Sequence, residues 1–162
     1  MATKSYFRYW DLLVENSDGK PILIVEVKGK TNTSSEWASK LRRNILAHDS
    51  LPKTPYFLIV FPDKFYLWTD SKVGQNDREV KAGEPNYIVD AFPILKPYLT
   101  KAEVTVDHLT GQSLELIVAS WLGGLIHSDQ PSEDLDKSQS WLIDSGLYAD
   151  LVGGKIEYEA VA

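Results

Sequence analysis

Between Tyr6 and Lys28 the sequence reads YFRYWDLLVENSDGKPILIVEVK. Two apolar runs, Tyr6–Val14 and Pro21–Val27, flank the polar hexapeptide Glu15–Lys20, and both are rich in aromatic and β-branched residues in near-alternating order. That composition and period belong to β-strands. Asp18-Gly19, in the middle of the polar segment, is the dipeptide favoured in a two-residue type I′ turn, where both central residues need positive φ. A hairpin turning on these two residues sets Leu13 opposite Ile24 and Asp11 opposite Glu26. It also sets Pro21 opposite Asn16, in a pair that exchanges no ladder hydrogen bonds, so the missing proline N–H costs nothing there.

The register has a chemical consequence. Side chains at i and i+2 share a strand face, so Glu26 and Lys28 project together, and the pairing adds Asp11 to the same face. Directly paired residues hold their Cβ atoms about 4.5–5.5 Å apart, close enough for two carboxylates to share one divalent cation. Two facing carboxylates are otherwise unfavourable, and a cation removes the conflict. The Val27 carbonyl offers a further oxygen ligand. Lys28 beside the pair can orient a water or stabilise negative charge developing on a phosphate.

Trp10-Asp11-Leu12-Leu13-Val14 followed by Pro21-Ile22-Leu23-Ile24-Val25-Glu26-Val27-Lys28 resembles the core of the PD-(D/E)XK, or restriction-endonuclease-like, nuclease superfamily. It is nearest to the N-terminal nuclease region of type I restriction R subunits, in which an Asp on one strand and Glu-x-Lys on the next precede a helix and another strand. The resemblance covers residues 6–68. It implies an α/β (α+β) fold with a mixed central β-sheet of restriction-endonuclease-like type and flanking helices, and metal-dependent hydrolysis of DNA phosphodiesters. It assigns catalysis to Asp11, Glu26 and Lys28, and Mg²⁺ or Mn²⁺ to Asp11, Glu26 and Val27. Two departures stand beside it. Ten residues precede Asp11, so the helix that usually comes before this strand is missing or replaced, and the inward position often held by glutamine on the following helix is Lys40 or Asn44. One replacement would be the later helix around Leu109–His127, bringing Glu115 towards the metal.

Outward from the hairpin, Glu36–Ala47 carries Trp37, Leu41, Ile45 and Leu46 at helical spacing after a polar connection with several candidate N-caps, which predicts a helix. Its other face presents Lys40, Arg43 and Asn44, with Arg42 at the border. Together with Lys30, the cations Lys40, Arg42 and Arg43 are the expected contacts to a DNA backbone. Tyr56–Phe61 and Phe65–Trp68, joined by Pro62-Asp63-Lys64, predict a second strand pair. Thr69–Pro85 reads as an exposed excursion and Ala91–Leu99 as a helical or turn segment broken by Pro93 and Pro97. Leu109–His127 is the strongest helix pattern, 127–140 an acidic linker, Trp141–Val152 a last helix and Lys155–Ala160 a terminal strand.

The 162 residues suit a single domain, with residues 6–68 as the nuclease-like core and 91–162 as a mainly helical extension packed on it. Zero cysteines exclude disulfides, thiolate nucleophiles and zinc ribbons, which leaves oxygen donors and three histidines for any metal. His48 is read as a helix end, and His108 and His127 as surface residues without ligand spacing. The five tryptophans are read mainly as core. No Walker loop, dinucleotide fingerprint or Gly-x-Ser-x-Gly is present. Neither a signal segment nor an apolar run of membrane-spanning length occurs, so the expected setting is soluble and cytoplasmic.

The net charge of −6 opposes nucleic-acid binding, but it is unevenly placed. Residues 20–53 hold seven basic against three acidic residues, a local balance of +4, whereas residues 101–162 hold three against eleven, or −8. The expected partner is DNA, with a homodimer or a larger restriction or repair complex left open. The alternative is a catalytically inactive nuclease-fold binding or regulatory subunit.

Overall fold

A computed structural model describes residues 10–47, 51–70, 83–128, 135 and 137–158. Tyr6, Tyr9, His48, most of the Thr69–Pro85 excursion and half of the acidic linker lie outside the described residues. The elements are β1 (Leu12–Glu15), β2 (Pro21–Val27), α1 (Ser35–Leu46), β3 (Tyr56–Val60), β4 (Lys64–Thr69), β5 (Tyr87–Asp90), α2 (Phe92–Ala102), α3 (Gly111–Ile126), α4 (Ser140–Asp144), α5 (Leu147–Leu151) and β6 (Lys155–Tyr158). They build a six-stranded mixed sheet in the order β5-β4-β3-β2-β1-β6, flanked by helices. β2 and β3 run parallel, joined through α1, and every other neighbouring pair is antiparallel.

The β1–β2 register agrees with the expected one over Leu12↔Val25, Leu13↔Ile24 and Val14↔Leu23, but the turn that sets it differs. Asn16 N–H donates to the Lys20 carbonyl at 2.8 Å and Gly19 N–H to the Asn16 carbonyl at 2.9 Å, which makes a three-residue loop, 17–19. Gly19 holds φ +82° and the Asn16 side chain accepts from the Asp18 and Lys20 N–H groups. Glu15 then faces Pro21, and Ile22 is an extra residue that restores the register beyond it. Two single-residue offsets cancel. The bulge has a packing trace, because Ile22 and Leu23 both join the same core cluster although they are adjacent on a strand.

Both faces of the sheet are covered, which explains why β2 and β3 are near-continuously apolar instead of alternating. On one face Leu12, Val14, Val25, Leu58 and Leu67 pack with Ile94, Leu95, Leu114, Val118, Leu122 and Leu147 from the later helices. On the other, Leu13, Ile24, Phe57, Ile59, Tyr66 and Trp68 meet Ala38 and Ile45 of α1. α1 starts at Ser34, whose hydroxyl accepts the Trp37 N–H at 3.1 Å. Its buried side is turned from the expected one: Ala38, Ser39 and Ile45 face inward, while Trp37 and Leu46 are 39% and 42% exposed. Small residues let the helix settle on a sheet face already filled with aromatic rings. Lys40, Arg43 and Asn44 are exposed as expected.

Three elements differ from the sequence reading. β5 was not anticipated; its four residues pair antiparallel with β4, which is a tertiary decision. α2 runs unbroken through Phe92–Ala102: Pro93 sits in the first turn, where no N–H partner is needed, and Pro97 removes one internal bond. The expected last helix is two short ones, because Gly146 adopts φ +88° between Asp144 and Leu147. The terminal strand is present as β6, paired with β1. Among the described residues no helix is long and apolar enough to cross a membrane.

Candidate functional site

β2 carries one charge in a run of apolar residues. Glu26 shares its sheet face with Ile24, the face that α1 covers, and is 8% exposed. Lys28 follows two residues later at the same end of the sheet, and its Nζ lies 3.1 Å from Glu26 Oε2. The lysine side chain is 41% exposed and that of the glutamate 11%, so the ion pair leads from the interior to solvent. Lys28 N–H donates to the Val60 carbonyl at 2.9 Å, which fixes the chain where β2 leaves the sheet.

Asp11 reaches this point by a different route from simple pairing. It lies just before β1, its N–H donates to the Val25 carbonyl at 2.9 Å, and its Oδ2 accepts the Val27 N–H at 2.7 Å. Asp11 therefore brackets Glu26 along the β2 backbone instead of standing opposite it. The carboxylate acts as a ladder partner where the main chain of β1 has already departed, a charge-assisted bond of the stronger kind. A strand residue turns its N–H and C=O to the same edge, so the Val27 carbonyl faces the side on which Asp11 sits.

The donor set consists of oxygen atoms alone: two carboxylates and one main-chain carbonyl. Such a set fits a hard divalent cation, and Mg²⁺ in particular is held by one or two carboxylates while keeping several waters. Among the described residues no group of three or more His, Asp or Glu side chains is gathered to hold a metal. Glu115 accordingly does not complete an Asp11–Glu26 set. α3 does begin beside this end of β2, for a Cβ on Gly29 would lie 2.9 Å from the Gly111 nitrogen, but it packs on the Val25 and Val27 face, opposite Glu26.

The expected DNA contacts divide. Lys40 and Arg43 project from the exposed side of α1. Lys30 lies over the Trp37 ring, with Nζ 5.3 Å from its centroid. Arg42 turns inward, its guanidinium 5.3 Å from the Trp68 ring centroid and 5.8 Å from that of Phe57. Burial lowers its pKa, and the charge of Asp70 opposes that shift.

Sequence reasoning passed over Asp63, which it took as a turn residue. Asp63 Oδ2 accepts the Asn32 N–H at 3.1 Å, with Asn32 at φ +60°. Tyr66 donates its hydroxyl to the Thr33 carbonyl at 3.2 Å, and burial raises its pKa. These two bonds pin the loop that follows Lys28. Asp63 precedes Lys64 in a turn, a common surface pattern, so no signal in the chain marked its role.

Comparison of the chain with protein-family models, curated proteins and solved structures finds no match.

Proposed function

We propose that this protein is a divalent-metal-dependent nuclease acting on DNA phosphodiester bonds, with Asp11, Glu26 and Lys28 as its working residues. The observation that carries the reading is the buried Glu26 at the end of β2, ion-paired to a half-exposed Lys28 and bracketed by the hydrogen bonds of Asp11 to Val25 and Val27. Asp11 and Glu26, with the Val27 carbonyl, would hold Mg²⁺ or Mn²⁺. A bound cation of this kind supplies Lewis-acid stabilisation of phosphate charge. Glu26 holds the Lys28 ammonium at the mouth of the site, where it stabilises negative charge developing on a phosphoryl oxygen. Lys30, Lys40 and Arg43 neutralise backbone phosphates of the bound strand.

The Glu26–Lys28 pair also favours a second reading. At 3.1 Å the lysine already neutralises the glutamate, as a nuclease-like scaffold serving as a binding or regulatory subunit would have it. Plasmid cleavage separates the two. The nuclease converts supercoiled DNA to nicked or linear forms with Mg²⁺ or Mn²⁺ and not with a chelator, and Lys28→Ala lowers the turnover about 10²- to 10³-fold at saturating DNA. Absence of cleavage by wild type with either metal, together with a Lys28→Ala effect confined to salt-dependent binding, would establish the binding module instead.

A further inference from the structure

A cavity of about 470 Å³ opens where the C-terminal end of α1 meets the start of β3 and the end of β4. Its chemistry centres on Arg42. The guanidinium lies over the Phe57 and Trp68 rings, and its Nε is buried without a hydrogen-bond partner among the described residues. A buried N–H without an acceptor is costly, because a desolvated polar group needs a partner to recover its lost hydration. Three other polar groups of the lining already have partners. Trp68 Nε1 donates to the Gly83 carbonyl at 2.9 Å, the Thr54 hydroxyl to the Tyr56 carbonyl at 2.8 Å, and the Tyr56 hydroxyl to Asp150 at 2.8 Å. Arg42 thus lines the cavity with the charge of Asp70 acting on it from the same lining.

Charge and shape narrow the occupant. Lys53 adds a second cation and Asp70 one anion, so the described residues of the lining are net positive. The remaining walls, Leu46, Leu51, Pro52 and Pro55, are apolar. The volume falls within the usual range for small-molecule pockets, about 300–1,000 Å³, and exceeds what an inorganic oxyanion fills. A planar guanidinium matches two oxygens of a phosphate at once, and an apolar or aromatic body would displace water from the hydrophobic walls.

We infer that this cavity is a second ligand site, separate from the Glu26–Lys28 end of the sheet, which takes an organic phosphate monoester of nucleotide size with its phosphate on Arg42 and Lys53. The site does not depend on the nuclease reading. It gives Arg42 a role other than contact with a passing DNA backbone, which its inward position does not suit.

Isothermal titration of the full chain with deoxyadenosine 5′-monophosphate, and separately with inorganic phosphate, tests it. Wild type should bind the nucleotide saturably and inorganic phosphate at least tenfold more weakly. Arg42→Met keeps the aliphatic stem on the rings and removes the charge, and should weaken nucleotide binding roughly 10- to 100-fold. Lys53→Ala, at an exposed position, should weaken it less while leaving the fold untouched. Lys28→Ala should bind the nucleotide like wild type even if it has lost all cleavage, which keeps the two sites experimentally distinct. Equal affinity in wild type and in both the Arg42→Met and Lys53→Ala variants would overturn the site, as would the absence of saturable nucleotide binding at millimolar concentration. Inorganic phosphate binding as tightly as the nucleotide would overturn the organic body of the ligand.

Discussion

Replacing Asp11 with alanine tests the hydrogen bond and the metal ligand in one residue. From the sequence alone such a change looks neutral or slightly stabilising without metal, because it removes one of two facing carboxylates. The structure reverses that expectation. Asp11 Oδ2 is the acceptor for the Val27 N–H at 2.7 Å, on a residue 8% exposed. Losing a charge-assisted bond to a buried N–H costs about 1.5–3 kcal/mol. For a chain of this length each kcal/mol moves the midpoint by about 2–4 °C, so Asp11→Ala should unfold about 3–12 °C below wild type in chelator. Asp11→Asn keeps an oxygen in place for Val27 and should lose roughly half as much, since a neutral acceptor bonds about half as strongly. The two variants separate again when Mg²⁺ is added. A cation bound only by the native state stabilises wild type by about 2.7 kcal/mol at a hundredfold excess over its dissociation constant. Neither variant should show that gain. Circular dichroism melts of the three proteins, with chelator and with Mg²⁺, give all six values. An unchanged Asp11→Ala midpoint in chelator refutes the hydrogen-bond reasoning, and a full Mg²⁺ gain in Asp11→Asn refutes the ligand.

Gly29→Ala should cost about 1–3 kcal/mol, because its Cβ would press within 2.9 Å of the Gly111 main chain, and a thermal melt should show a midpoint lower by about 2–12 °C. Gly124→Ala in α3 should do the reverse, since nothing lies within 4 Å of the added Cβ and alanine is favoured over glycine in a helix by about 0.5–1 kcal/mol; equal or lower urea midpoints would contradict this. Glu15 is held above the ordinary carboxylate range by its hydrogen bond to Glu157, so the folded chain keeps that proton more tightly than the unfolded one. Its contribution is present below the unfolded pKa and is lost as pH rises through the folded one, and Glu157→Gln should flatten that part of the stability profile measured by melts between pH 4 and 7.

Local chemistry made the hairpin, α1 and the β3–β4 pair legible in the chain. Their signals lie within a few residues of one another: apolar runs beside Asp18-Gly19, several candidate N-caps before an amphipathic dozen, and Pro62-Asp63 between two aromatic strands. The candidate site was legible for the same reason, since Glu26 and Lys28 stand two apart on one strand and Asp11 falls near them in any hairpin of that length. The turn itself was beyond reach, because a three-residue loop plus a bulge at Ile22 yields the same register over Leu12–Val14 as a two-residue loop without one. Only the tertiary structure decided that Asp11 would bond Val27 in place of standing opposite Glu26, for that depends on where β1 leaves the ladder. It decided too that Glu115 would lie on the far face, that β5 and β6 would complete the sheet, and that Arg42 would turn under α1 onto Phe57 and Trp68. Each of these rests on contacts between segments distant in the chain, whose energies come from packing and desolvation, and no local propensity records them.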